Sequence, residues 1–338
     1  MAVFGRRNVL LALLAAAAFG PAFLNDYYLF VGNTILIYVL LSIGLNILLG
    51  YTGQLAFANA AMFGIGAYGT GLLQVRLGWP FWLAFPTGAV IATSVGLAIS
   101  LPALRLRGLY LAVSTLAFAQ FTQWTFLNWE NVTYGAGGFK TPPLSFAPLP
   151  LSKEIGLYYL TLLLVIVLFA LAQNAVRSRI GRGFIAVRDS EVAAQSLGVD
   201  LLRYKALAFG ISGFYAGIAG GLYSALLNFV SPESYDLFQM VLHKTMVVVG
   251  GLGSIVGSVL GAGTIVSLLE LLRKVKGAQE IAFGAILVGF ILFMPGGIVG
   301  KLKEKLRGWD EPLHRGRRRH GDAAAVPVPR PDAGEVRP

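Results

Sequence analysis

Apolar positions fill this chain in runs of roughly the 17–25 residues that a bilayer-crossing helix requires. The runs 8–24, 27–49, 54–75, 80–104, 109–128, 156–176 and 206–228 predict membrane-spanning helices. Residues 237–272 form a further apolar stretch, interrupted by Gly250-Gly251-Leu252-Gly253-Ser254, and 280–300 forms the last one. The long polar interruption with helical order is 177–205. At its centre is Asp189-Ser190-Glu191-Val192-Ala193-Ala194-Gln195-Ser196-Leu197-Gly198. Asp189 or Ser190 suits the cap and Glu191 the first turn, where the helix dipole favours an anion. Gly198 suits the left-handed residue that ends a helix. The pattern predicts an isolated helix of about two turns, too short to be stable alone in water. Another protein is expected to hold it.

Composition turns this pattern into a class. Of 338 residues 56% are hydrophobic and 13% charged, with mean hydropathy +0.70. Soluble domains carry about 25% charged residues, so the expectation is an all-α polytopic membrane protein. The absence of cysteine excludes disulfides and thiolate metal sites. The net charge of +11 would fit nucleic acid. The cations, however, gather in loops and a tail beside apolar spans, so no nucleic-acid partner is expected.

Charge also arbitrates the span count, because Lys and Arg collect on the cytoplasmic side. If 237–272 crosses twice, 20 cations lie on the side of Arg6 and Arg7 and six on the other, with Lys244 inside a span. If it crosses once, the split is 13 against 13. Ten spans follow, with a short eighth one and both termini cytoplasmic. The run 8–24 is read as an uncleaved first helix rather than a secretory signal. Residues 1–307 then form the transmembrane region, with 129–155 the main external loop. Residues 308–338, rich in Arg and Pro, read as a disordered cytoplasmic tail.

Little in the spans suggests chemistry. No Gly-x-x-x-x-Gly-Lys-Ser/Thr phosphate loop occurs. Two of the three histidines, His314 and His320, lie in the tail. Glu270, near an outer span end, precedes Arg273 and Lys274 at helical ion-pair spacing. Enzymatic activity, metal ligation and a cofactor held by this chain are therefore not expected. The spans do carry neutral polar groups, which either bond helix to helix or line a solute path. Gln54, Asn59, Thr115 and Gln120 are the candidates for the path. Gly64, Gly66, Gly69 and Gly71 read as close helix packing. His243 and Lys244 lie inside the short span, where an ionisable group is a functional candidate and Lys can also snorkel outward.

Several stretches, in order, resemble the branched-chain amino-acid ABC transporter permeases. They are Gly50-Tyr51-Thr52-Gly53-Gln54-Leu55-Ala56-Phe57-Ala58-Asn59 through Tyr68, Leu104-Arg105-Leu106-Arg107-Gly108-Leu109-Tyr110, and Gly181-Arg182-Gly183-Phe184 through Gly198. Met246-Val247-Val248-Val249-Gly250-Gly251 and Phe293-Met294-Pro295-Gly296-Gly297 complete the set. The length and basic tail resemble the longer, LivM-like subunit. The resemblance implies a type II-importer-like bundle of about ten helices with a short cytoplasmic coupling helix in 177–205. It implies a bacterial inner-membrane complex with a second, shorter permease chain, two cytoplasmic ATPase subunits that bind ATP, and an external solute-binding protein. Glu191, Ala193, Ala194, Leu197 and Gly198 would then couple to the ATPase. Ala56 and Asn59 stand where Ser and His are often found in the family motif. Permeases for urea and short-chain amides share the scaffold and are the alternative. A stand-alone secondary transporter, a further rival, would need a midplane carboxylate or a broken-helix ion site.

Overall fold

The computed structural model describes residues 25–103, 105–106, 108–146, 152–273, 279–294 and 296–305. The predicted span 8–24 and the tail 308–338 lie outside them. The bundle is built from α1 (Asp26–Asn46), α2 (Asn59–Leu77), α3 (Phe81–Ala103), α4 (Leu109–Asn128) and α5 (Lys153–Arg177). Then come α6 (Arg179–Asp189), α7 (Glu191–Ser196), α8 (Leu201–Leu227), α9 (Leu237–Gly250), α10 (Ile255–Leu272), α11 (Gln279–Phe293) and α12 (Gly297–Lys305). Among the described residues, five helices are long and apolar enough to cross a membrane: α1 with its extension to Tyr51, α3, α5, α8 and α10. The protein is thus an all-α membrane protein. The fourteen-residue α9 is apolar but shorter.

Small residues set the centre of the bundle. α8 packs along α2 and α3, and a Cβ on Gly66 of α2 would lie 2.5 Å from the Gly217 Cα of α8. Backbones that close gain dispersion contacts a larger residue would forbid. Gly64 meets the ring of Phe126 on α4, as expected of helix packing, and that of Tyr235, whereas Gly71 meets Phe139, which lies on no helix. Residues 237–272 form a hairpin of two helices around the glycines, and a Cβ on Gly261 would land on the Met246 carbonyl. Asn46 fastens that hairpin to α1. Its Nδ2 donates to the Ser254 carbonyl and to Ser258 Oγ, both at 2.8 Å, and its Oδ1 accepts from Gly253 N–H at 2.9 Å.

At the opposite end, β1 (Phe139–Lys140) pairs antiparallel with β2 (Phe229–Val230), Phe139 facing Val230. This small sheet presses Phe139 onto Tyr68, which stacks on Phe126 at 4.0 Å between ring centres. Tyr235 meets both Tyr68 and Phe126 edge-on. Aromatic rings therefore close this end of the bundle. Glu270 pairs with Arg273 at 2.9 Å, the expected helical ion pair, and also accepts from the Tyr27 hydroxyl of α1.

Three boundaries differ from the sequence expectation. The span 54–75 starts only at Asn59: α1 winds into a wide π-type turn, Ile47–Tyr51, and 52–58 is irregular. The final span 280–300 ends at Phe293, and a separate helix starts at Gly297, because Pro295 cannot continue the ladder. The polar helix at 189–198 is not isolated. An eleven-residue helix, α6, precedes it, and α8 begins five residues earlier than expected, capped by Asp200.

Candidate functional site

The polar segment between α5 and α8 is ordered by its own short-range chemistry. Ser178 accepts from Ile180 N–H at 3.1 Å and starts α6. Phe184 and Val187 turn inward, and Phe184 meets Tyr204 of α8 edge-on. Ser190, rather than Asp189, caps α7 by accepting from Ala193 N–H at 3.2 Å. Gly198, at φ +83°, ends it. Val199 N–H donates to the Ala194 carbonyl and Gly198 N–H to that of Gln195, both at 3.0 Å, the paired closure of a helix end in left-handed Gly.

This geometry sorts the candidate coupling residues. Val192 is 64% exposed and Leu197 83%, while Ala194 is buried at 2% against its own chain. Ala193 and Gly198 are exposed. Leu197 and Val192 thus form the outward apolar face, and Ala194 seats the helix. Glu191 does more than complement a dipole. Its carboxylate pairs at 2.7 Å with Lys205, whose side chain is 1% exposed.

Two links connect this segment to the broken part of the bundle. Gln54 Nε2 donates to Glu191 Oε1 at 3.5 Å. Arg188 Nη1 donates to the Gly50 carbonyl at 3.1 Å, and its side chain covers Gly53, whose backbone is left-handed at φ +68°. Through Gln54 the start of α7 thus touches the irregular 52–58 segment, and Arg188 of α6 touches the π-type turn that follows Asn46. Neither Lys205 nor Arg188 was legible as part of this knot. A buried ion pair 14 residues apart leaves no periodic signal, and both read as loop cations.

Of the four candidate path residues, three gather on the irregular segment. Gln54 is in it and buried. Asn59 opens α2, 3% exposed, with its Nδ2 3.5 Å from Ser212 Oγ of α8. Thr115 Oγ1 accepts from Phe57 N–H at 2.8 Å, holding the segment against α4. Gln120 is not with them. It faces outward on α4, which packs along one side only and exposes Phe121 and Trp124. Two cavities of about 360 Å³ each lie elsewhere, one between α1 and α5 near Asn33 and Lys153, the other along α5 and α8. Among the described residues no cluster of three or more His, Asp or Glu could hold a metal ion.

Apolar helices around small-residue seams, with one ordered polar segment tied to a broken helix, define a polytopic membrane protein. Over residues 27–295 the chain matches the family described as branched-chain amino acid transport system permease component, and it belongs to that family. It is 31% identical over 322 residues to the high-affinity branched-chain amino acid transport system permease protein LivM of Escherichia coli strain K12, covering 88% of this chain and 76% of the relative. The LivM of Salmonella typhimurium strain LT2 matches to the same extent. LivH of Escherichia coli strain K12 is 27% identical over 290 residues, covering 78% of this chain and 91% of its own length. These relatives are transport permeases, not enzymes. No solved structure matches the chain.

Proposed function

We propose that the chain is a membrane permease subunit of an ATP-binding-cassette importer for branched-chain amino acids, of the LivM type. The observation that carries this reading is the family match across 27–295, with LivM relatives aligned over most of both chains. One organism, Escherichia coli strain K12, contributes both a LivM and a LivH relative, which supports a second permease chain as partner. In this reading ten spans cross the bacterial inner membrane with both termini cytoplasmic. Two ATPase subunits bind the ATP, and an external protein delivers the solute.

The helix α7 is the coupling element, its exposed Val192 and Leu197 seated in a groove of one ATPase. ATP binds the closed ATPase pair more tightly than the open one, and only such differential affinity can shift the permease between states. The Glu191–Lys205 pair and the Arg188 bond to Gly50 make α7 a lever on the π-type turn rather than a loose loop. The irregular 52–58 segment also fits the broken-helix site of a secondary transporter. The family match favours the ATP-driven class.

The test is ATP-dependent uptake of labelled leucine by the reconstituted complex, with isoleucine, valine, urea and acetamide as competitors. Inhibition by the branched-chain acids alone is the expected result. Inhibition by urea or acetamide alone would transfer the chain to the amide-transporting class.

A further inference from the structure

α4 has the length of a membrane span, 20 residues or about 30 Å, yet it is not among the five helices apolar enough to cross a membrane by composition. Its inward face packs normally. Leu111, Ala112, Thr115, Ala119, Thr122 and Phe126 recur at helical spacing and are buried against the rest of the chain. Val113, Ala117, Gln120, Phe121 and Trp124 recur at the same spacing on the opposite face, and all five are exposed. Gln120 is the twelfth of the twenty residues, so it stands at mid-helix, with Gln123 half-buried about one turn further on. The hydroxyls of Thr115, Thr122 and Thr125 bond carbonyls of their own helix. The two amides form no side-chain hydrogen bond among the described residues.

This face suits neither of the two solvents. Hydrocarbon offers an amide no partner, so contact with lipid tails would leave both amides unpaired. Water would meet Val113, Phe121 and Trp124, whose apolar area it disfavours. The outward sides of α3 and α5 differ in kind. They present Val90, Leu97, Leu163 and Leu171, and the Thr87 and Ser94 hydroxyls bond their own helix at 2.8 and 2.9 Å, which leaves nothing unmet in lipid. Apolar and aromatic area around a few hydrogen-bonding groups is instead the make-up of a protein interface. Inside a membrane such groups bond from helix to helix, and small residues such as Ala117 let the helices close up.

We propose that the α4 face carrying Val113, Ala117, Gln120 and Trp124 docks the second permease chain of the importer. The inference rests on the importer reading above, in which that chain is a different permease. One organism contributes both a LivM and a LivH relative, and this chain is similar to both along most of its length. Depth selects the occupant. Gln120 lies about 17 Å from one end of α4 and about 12 Å from the other, beyond the reach of a soluble ATPase or an external binding protein. A second membrane chain of the same family brings spans of matching length, and polar groups at mid-span meet the two amides.

The experiment uses membranes that hold the complete complex. Val113, Gln120 or Trp124 is replaced in turn by the photo-reactive p-benzoylphenylalanine, with Val90 of α3 and Leu171 of α5 as controls. Irradiation is expected to join each of the three α4 positions to the second permease, identified by the masses of its peptides, and to join neither control to it. A second arm is Ala117→Trp, which lipid would accommodate and a close interface would not. The second permease retained through purification is expected to fall about tenfold, as overfilling a packed contact implies. The amount of this chain in the membrane should stay at the wild-type value. Adducts with lipid alone, or with a second copy of this chain, overturn the inference, and so does full retention of the second permease by Ala117→Trp. Absence of any second permease from the wild-type complex would instead overturn the parent reading, and this one with it.

Discussion

Glu191 shows how far one contact moves an expectation. As a first-turn carboxylate it would be worth about 0.3–1 kcal/mol through the helix dipole, and charge reversal there would be mild. Its partner Lys205 is 1% exposed, however, and reversal would strand that ammonium beside a second one. Breaking a buried pair costs about 3–5 kcal/mol. Glu191→Lys is therefore expected to lower the thermal midpoint and complex yield sharply. The double variant Glu191→Lys, Lys205→Glu should regain most of the loss. Unfolding of both purified variants decides it, and an unperturbed single variant would show that the pair carries no load. The 14-residue separation explains why sequence reading missed this. Helical patterns report neighbours three and four apart, and nothing in a run of loop cations marks the one that is buried.

At the scale of elements, a capping side chain made one helix start legible, that of α7 at Asp189 or Ser190, while the capped starts of α6 and α8 went unread. Ser178, Ser190, Asp200, Asp236 and Ser254 each cap the helix that follows. The start of α2 was not legible, because Gln54-Leu55-Ala56-Phe57-Ala58 contains nothing that breaks a helix. The break comes from tertiary bonds, chiefly Phe57 N–H to Thr115 and the π-type turn before it. The fold class and α7 itself were readable from pattern, whereas the face of α7 was not. Ala194, small and apolar, read as a contact for a partner, yet it is buried at home. Ala194→Arg would thus unseat the helix whatever its partner. Leu197→Asp is the cleaner probe, since that side chain is 83% exposed. Such a surface change should alter the chain's own stability by no more than about 0.5 kcal/mol. Co-purified ATPase should nevertheless fall about tenfold or more, as expected when a charge is forced into an apolar contact. Undiminished ATPase in the purified complex would remove α7 from the coupling role.

Among the described residues, α9 and α10 pack against each other around the Gly250–Ser254 turn, and that turn decides the topology of 237–272. The alternation of runs and the 20-to-6 cation split favoured a double crossing there. Asn46 now joins that turn to the end of α1, and Arg188 of α6 donates to Gly50 just beyond it. The turn therefore lies at the same end of the bundle as α7, with the β1–β2 pair at the other. α9 is only about 21 Å long at 1.5 Å per residue, short of a hydrocarbon core of about 30 Å. Ahead of it the Pro232–Tyr235 turn packs Tyr235 against Phe63 and Tyr68 of α2 on the β1–β2 side. The chain has no cysteine, so single cysteines report position cleanly. Leu197→Cys, Leu252→Cys and Lys140→Cys all place the thiol at exposed positions. A membrane-impermeant maleimide applied to intact spheroplasts should label Lys140→Cys alone. The other two should react only once the membrane is opened. A single crossing over 237–272 would instead bury residue 252 at mid-bilayer, so failure of Leu252→Cys to react from either side would overturn the hairpin. Reaction of Leu252→Cys in intact spheroplasts while Leu197→Cys stays protected would overturn it as well, by placing the turn at the opposite face from α7.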